Sequence, residues 1–182
     1  MTLFANLRGS SYGAVVDPIL IDGDPFAAEP PAMRAFPWPG VEQRFAGKDV
    51  VLVTHGFNVS YVSGLRSLAR LEQALHLGPQ VQFLGVLWPG DWVVPAINYP
   101  FAINVARHAG TKLGGFCNQW LANARSLSFV SHSLGARVIL EAVQALHRRT
   151  RMLCVTAMRP IFATPGTCSS KRPVASGRPK RL

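Results

Sequence analysis

The stretch from Leu127 to Leu140 constrains the fold more than any other part of this chain. Leu127-Ser128-Phe129-Val130 reads as a short apolar strand, Ser131-His132-Ser133-Leu134-Gly135 as a turn on small residues, and Ala136-Arg137-Val138-Ile139-Leu140 as the start of a helix. A chain that passes this abruptly from a buried strand into a helix brings the two backbones close together, and only small side chains fit between them. Ser131 and Gly135 stand two residues before and two after Ser133, where that constraint is tightest. The pattern therefore predicts a strained turn that presents the Ser133 hydroxyl at the end of a sheet.

The rest of the chain supplies a sheet for that turn. Asp49 to Thr54 is a β-branched, apolar run of strand character that breaks at His55-Gly56-Phe57-Asn58. Ser60 is placed to cap a helix over Tyr61 to Leu77, whose apolar residues recur at 62, 65, 68, 71 and 75. Val81 to Leu87 is a third buried-strand candidate and ends in Trp88-Pro89-Gly90-Asp91. A second helix is expected from about Pro100 to Ala124, despite Gly110, Gly114 and Gly115, and a third from Ala136 to His147. Met152 to Met158 offers a further strand beside the one that carries Ser133. The segment Asp22 to Gly40 is rich in proline and acids and reads as a loop, and Ala28-Glu29-Pro30-Pro31 cannot belong to a central strand. Strands alternating with helices predict a three-layer α/β domain with a mostly parallel sheet, and 182 residues suffice for one such domain.

With these pieces in this order, the chain resembles the α/β-hydrolase family. It is closest to a bacterial esterase- or lipase-like group with a His-Gly-Phe-Asn loop, a Trp-Pro turn and a Ser-His-Ser-Leu-Gly nucleophile elbow. Phe4-Ala5-Asn6-Leu7-Arg8 resembles that group's first strand, and the resemblance spans roughly residues 1 to 147. It implies hydrolysis of a small-molecule carboxylic ester or related acyl bond through an acyl-serine intermediate, with Ser133 as nucleophile. Acyl transfer needs two backbone N–H groups aimed at the developing oxyanion, and here Leu134 and Phe57 would supply them, with Gly56 letting the second loop turn tightly. His55 and Asp91 are possible supporting residues.

The resemblance stops short of a full triad. In this fold the order is serine, acid, histidine. After Glu141 the chain has no Asp or Glu, and after His147 no histidine, so it reads as an α/β hydrolase incomplete on its C-terminal side. Glu141 falls on the helix after the elbow and reads as a solvated helix residue. His132 adjoins Ser133, where successive side chains diverge. His55 ends a strand at the oxyanion loop, which favours a structural hydrogen bond over a catalytic role. His76 falls at a helix end, His108 lies within a helix, and His147 is flanked by Arg148 and Arg149. None is placed as a general base, so weak or absent activity is expected unless a second chain provides one. Asp91 reads either as an active-site carboxylate or, more commonly, as a turn-stabilising aspartate. Trp88, Trp92, Tyr99 and Phe101 read equally as an acyl pocket or as core and loop cover.

Charge divides the chain near the same point. Residues 1 to 147 hold ten Lys and Arg against nine acids, whereas residues 148 to 182 hold nine basic residues and no acid, and so carry most of the formal net charge of +10. Domain boundaries are therefore expected at 1–158 for the hydrolase-like domain and 159–182 for a Pro-, Gly- and Ser-rich tail that should be disordered. One reading makes the tail an arm for nucleic acid or another anionic surface, on a scaffold acting as a noncatalytic binding protein. The favoured reading is a non-native terminus from a frame artefact, so nucleic acid is not the expected partner. Cys117, Cys154 and Cys168 lack metal or redox spacing and fit reduced thiols. No dinucleotide or phosphate-loop motif is visible, so neither cofactor nor metal is expected. No signal peptide or membrane-length apolar run is visible either, and a cytoplasmic location follows as an expectation. A sheet lacking later strands would leave apolar helix faces uncovered, which predicts marginal stability and self-association.

Overall fold

The computed structural model describes residues 1–91, 95–146 and 152–158. His147, Trp92, Cys168 and the basic tail 159–182 lie outside these residues, as do the side chains of Tyr99 and Cys154. The strands are β1 (Thr2–Arg8), β2 (Val15–Gly23), β3 (Arg34–Ala35), β4 (Asp49–Thr54), β5 (Val81–Leu87), β6 (Ser126–His132) and β7 (Met152–Met158). They form one sheet in the order β3-β2-β1-β5-β4-β6-β7. The β1–β2 and β2–β3 pairs are antiparallel and the other four are parallel. The helices are α1 (Val41–Phe45), α2 (Tyr61–Leu75), α3 (Pro95–Trp120) and α4 (Gly135–Ala145).

Helices cover both faces, because the central strands are apolar on both sides. Val50 and Leu52 of β4 and Leu127 and Phe129 of β6 pack under α1, α3 and α4, together with Val41, Leu113, Val138 and Ile139. The alternate residues Val53 of β4 and Phe83 of β5 pack under Leu65, Leu68 and Ala69 of α2. This period-two division of β4 sends successive side chains into the two cores in turn. The three-layer, mostly parallel architecture is thus the one that the strand and helix order implies.

The edge of the sheet departs from expectation. β2 was not anticipated, because Pro18 interrupts its apolar alternation. The β1–β2 register shifts between Asn6 and Arg8, opposite that proline, so the lost N–H falls at an irregularity and not within a regular ladder. The segment Asp22 to Gly40 is mostly loop, but it contains the end of β2, the two-residue β3 and a 3-10 turn at Trp38–Gly40. At α2, the Ser60 hydroxyl accepts from the Ser63 N–H at 3.3 Å, and His76 closes the helix in the left-handed conformation with φ +45°.

The glycines within α3 have a packing reason. A Cβ on Gly110 would stand 2.5 Å from the Val138 carbonyl, and one on Gly114 would stand 2.6 Å from Ala145 Cβ. They let α3 and α4 approach along a shared seam, and this offsets their weak helix propensity. Beside that seam, Cys117 is fully buried, and burial pushes its thiol up to about 12. The thiol is therefore protonated at neutral pH and has no access to reagent. Iodoacetamide should leave the Cys117 peptide unmodified in the native protein and alkylate it in denaturant. Mass spectrometry checks this, and native-state alkylation would show that α3 opens.

Candidate active site

Two loops meet at the carboxyl edge of the sheet. β4 and β6 are paired in register through Thr54 opposite Ser131, so the chain leaves both strands at the same level. Beyond β6 the turn puts Ser133 at φ +52°, in the left-handed region that residues with a Cβ seldom occupy, with its side chain exposed. Leu134 follows as the N-cap of α4, and the Ser133 carbonyl accepts the Ala136 N–H at 2.9 Å. Beyond β4 comes His55-Gly56-Phe57-Asn58, with Asn58 at φ +56°.

The loops touch through glycines. A Cβ on Gly135 would lie 2.3 Å from the His55 carbonyl and 2.9 Å from Thr54 Cγ2. A Cβ on Gly56 would lie 2.5 Å from His132 Nδ1 and 3.2 Å from the His132 carbonyl. The structure thus brings His132 and Gly135, which flank Ser133 and Leu134, against Gly56 and His55. Ser131 is buried, and its hydroxyl makes no hydrogen bond among the described residues. A small side chain is what this position requires, and the hydroxyl itself serves no visible purpose there.

His55 is bound into the scaffold through both ring nitrogens and its carbonyl oxygen. Nδ1–H donates to the Gly56 carbonyl at 2.9 Å, Nε2 accepts the Trp88 backbone N–H at 3.3 Å, and the His55 carbonyl accepts the Trp88 indole N–H at 3.0 Å. The two rings stack with centroids 5.7 Å apart. Burial holds the imidazole neutral down to about 4; the nearby Arg8 charge acts in the same direction and the Gly56 carbonyl opposes it. To serve as a base, His55 would have to give up the Trp88 bond.

The other sequence candidates are dispersed. His132 lies against Gly56. His76 is exposed, with Nδ1 bonded to the Ala74 carbonyl at 2.9 Å, and His108 is exposed on α3. No histidine nitrogen is hydrogen-bonded to Ser133 Oγ among the described residues. Glu141 sits on α4 between Arg107, at 3.4 Å, and Arg137, at 3.7 Å. Asp91 pairs with Arg8, a partner that sequence spacing does not indicate. Trp88 is fully buried in the core, whereas Phe101 is exposed. Beside Gly56 and His132 an apolar cavity of about 280 Å³ runs along α2, lined by Val53, Leu68, Leu71 and Val130. Among the described residues no group of His, Cys, Asp or Glu is arranged to hold a metal, and no helix is long and apolar enough to cross a membrane.

A mostly parallel sheet flanked by helices, with a left-handed serine between a central strand and the next helix, defines an α/β hydrolase. The chain belongs to the family described as alpha/beta hydrolase of unknown function (DUF900), which matches residues 41–167. Comparisons with curated proteins and with solved structures gave no match.

Proposed function

We propose that this chain carries the acyl-transfer half of a serine esterase: Ser133 Oγ attacks a carboxylic ester, and the Leu134 and Phe57 N–H groups receive the oxyanion. The observation that carries this reading is the left-handed Ser133, exposed at the β6–α4 turn, whose flanking His132 and Gly135 pack against Gly56 and His55. Backbone strain at an exposed polar side chain points to function, because it costs about 1–3 kcal/mol that packing must offset. The acyl group of the ester would lie in the apolar cavity bordering Gly56 and His132. Attack forms the Oγ–carbonyl bond and breaks the ester C–O bond, the Oγ proton passing through solvent to the departing alcohol, and water then cleaves the acyl-serine to release the acid and restore the hydroxyl.

Among the described residues no histidine is hydrogen-bonded to Ser133 Oγ, so the expected rate is low. Serine hydrolases deprived of triad members retain only about 10³–10⁴-fold acceleration over water, from the oxyanion site and binding. With short-chain p-nitrophenyl esters we expect slow turnover and an acyl adduct on Ser133 that mass spectrometry detects in wild type and not in Ser133→Ala. Turnover in wild type with no acyl adduct on Ser133 would overturn the role of Ser133. Rapid turnover lost in Ser133→Ala would instead overturn the low-activity expectation and reveal an unassigned base.

A further inference from the structure

The oxyanion loop does not hold itself in place. Asn58 occupies left-handed backbone without being a glycine, and its N–H donates to the Gly90 carbonyl at 2.7 Å. At the other end of the loop, His55 receives the Trp88 backbone and indole N–H groups. Phe57 therefore lies between two residues that are both tied to the turn Trp88-Pro89-Gly90-Asp91. The placement of its N–H can be no better than the placement of that turn.

Arg8 ties the turn to the sheet. It is the last residue of β1, two residues beyond the Asn6–Leu87 pair that ends the ladder with β5, and its backbone is held opposite Val15 of β2. Its guanidinium donates through Nη1 to the Trp88 carbonyl at 3.0 Å and through Nη2 to the Asp91 carboxylate. One planar fork thus bridges the first and last residues of the turn, a geometry that a single ammonium reproduces poorly. The Arg8 side chain is only 14% exposed and that of Asp91 27%, so the pair is better shielded from solvent than an ordinary surface ion pair. Arg8 also lies outside the residues matched by the family.

We propose that Arg8 and Asp91 are positioning residues that hold the Phe57 oxyanion donor through the Trp88–Asp91 turn; this rests on the reading of Ser133 and Phe57 given above. Displacement of a reacting group by about 1 Å costs about 10²-fold in rate, and loss of one oxyanion donor costs about 10²–10³-fold. Arg8→Met keeps the aliphatic stem and removes both bonds, Asp91→Asn weakens one, and Arg8→Lys retains the charge without the fork.

The test uses the full chain and an alkyl fluorophosphonate. In the labelling reaction Ser133 Oγ bonds to phosphorus, fluoride departs, and charge develops on the phosphoryl oxygen. We expect the maximal labelling rate to fall at least about tenfold in Arg8→Met, less in Asp91→Asn and Arg8→Lys, with half-saturating probe concentration unchanged. A loss confined to folding would lower the melting temperature without this split. Amide hydrogen exchange reads the brace without chemistry, and the Asn58 amide should exchange about tenfold faster in Arg8→Met. If folded Arg8→Met shows unchanged exchange at Asn58, or an unchanged maximal rate, the proposal is overturned while Ser133 keeps its role. If wild type is not labelled at Ser133, the esterase reading fails, and the oxyanion role of the brace fails with it even where exchange responds.

Discussion

Gly135→Ala should remove a large part of this chain's stability, although the substitution adds one methyl group. The added Cβ would meet the His55 carbonyl at 2.3 Å and Thr54 Cγ2 at 2.9 Å. The first of these is backbone, directly after the β4 ladders and bonded to the Trp88 indole N–H, so it cannot turn aside as a flexible side chain can. Relief requires α4 to lift from the sheet, which would uncover Val138, Ile139 and Ala142 and disturb the seam with α3. Overpacking of a tight site costs about 1–3 kcal/mol and sometimes more, and at a backbone contact we expect about 3 kcal/mol or more. Domain stability totals only about 5–15 kcal/mol, so the loss is severe. Gly115→Ala is the control: no atom lies within 4 Å of a Cβ at that exposed position of α3, and better helix propensity should stabilise by about 0.5–1 kcal/mol. Thermal melting of the two variants decides the matter. A Gly135→Ala melt close to wild type would show that α4 is not held against the His55 loop as described.

The contrast between those glycines shows what the sequence made legible. Ser131, Ser133 and Gly135 were readable because a strand-to-helix turn constrains residue size at fixed local offsets, and a local constraint leaves a local pattern. The runs at β4, β5, β6 and β7 and the helical spacing of α2 were readable for the same reason. β2 was not, because Pro18 breaks the alternation and the cost is absorbed by a register shift opposite Asn6 and Arg8, visible only once the strands pair. The helix of Gly110 and Gly114 could be placed by pattern, but its glycines made sense only when α4 was seen against them. Asp91 was legible as a turn residue, yet its partner Arg8 lies 83 residues away, and no periodicity links two charges at that separation. The bonds of His55 to Trp88 likewise span 33 residues. Long-range polar pairing follows topology, and topology is the part of a fold that residue spacing encodes least.

The buried imidazole gives the second large expectation, a steep loss of stability in mild acid. In the folded chain His55 stays neutral down to about 4, against an ordinary value of 6.5 in the unfolded chain. Between those values the unfolded chain holds the extra proton, so stability rises with pH across the window. The contribution is fully present above about pH 6.5, falls as the pH drops, and is gone near pH 4, where both states are protonated. A difference of this size corresponds to about 3 kcal/mol over the whole window, and about 2 kcal/mol between roughly pH 7 and pH 4.5. Protonation at Nε2 also turns the acceptor of the Trp88 backbone N–H into a second donor, so the bond that ties the His55–Phe57 loop to Trp88 is lost as well. Asp49 does not confuse the measurement. The Arg125 guanidinium and the Ser126 hydroxyl hold its carboxyl at about 2, from an ordinary 3.8, so its own stability change falls in a more acidic window. Urea unfolding should therefore show wild type losing about 2 kcal/mol between roughly pH 7 and pH 4.5. His55→Leu should be less stable at neutral pH, because the Trp88 backbone N–H and the Gly56 carbonyl lose their side-chain partners, and should show a much flatter profile over the same range. If His55→Leu keeps the wild-type slope, the proton is taken up elsewhere, and His55 is not the group that makes the fold acid-sensitive.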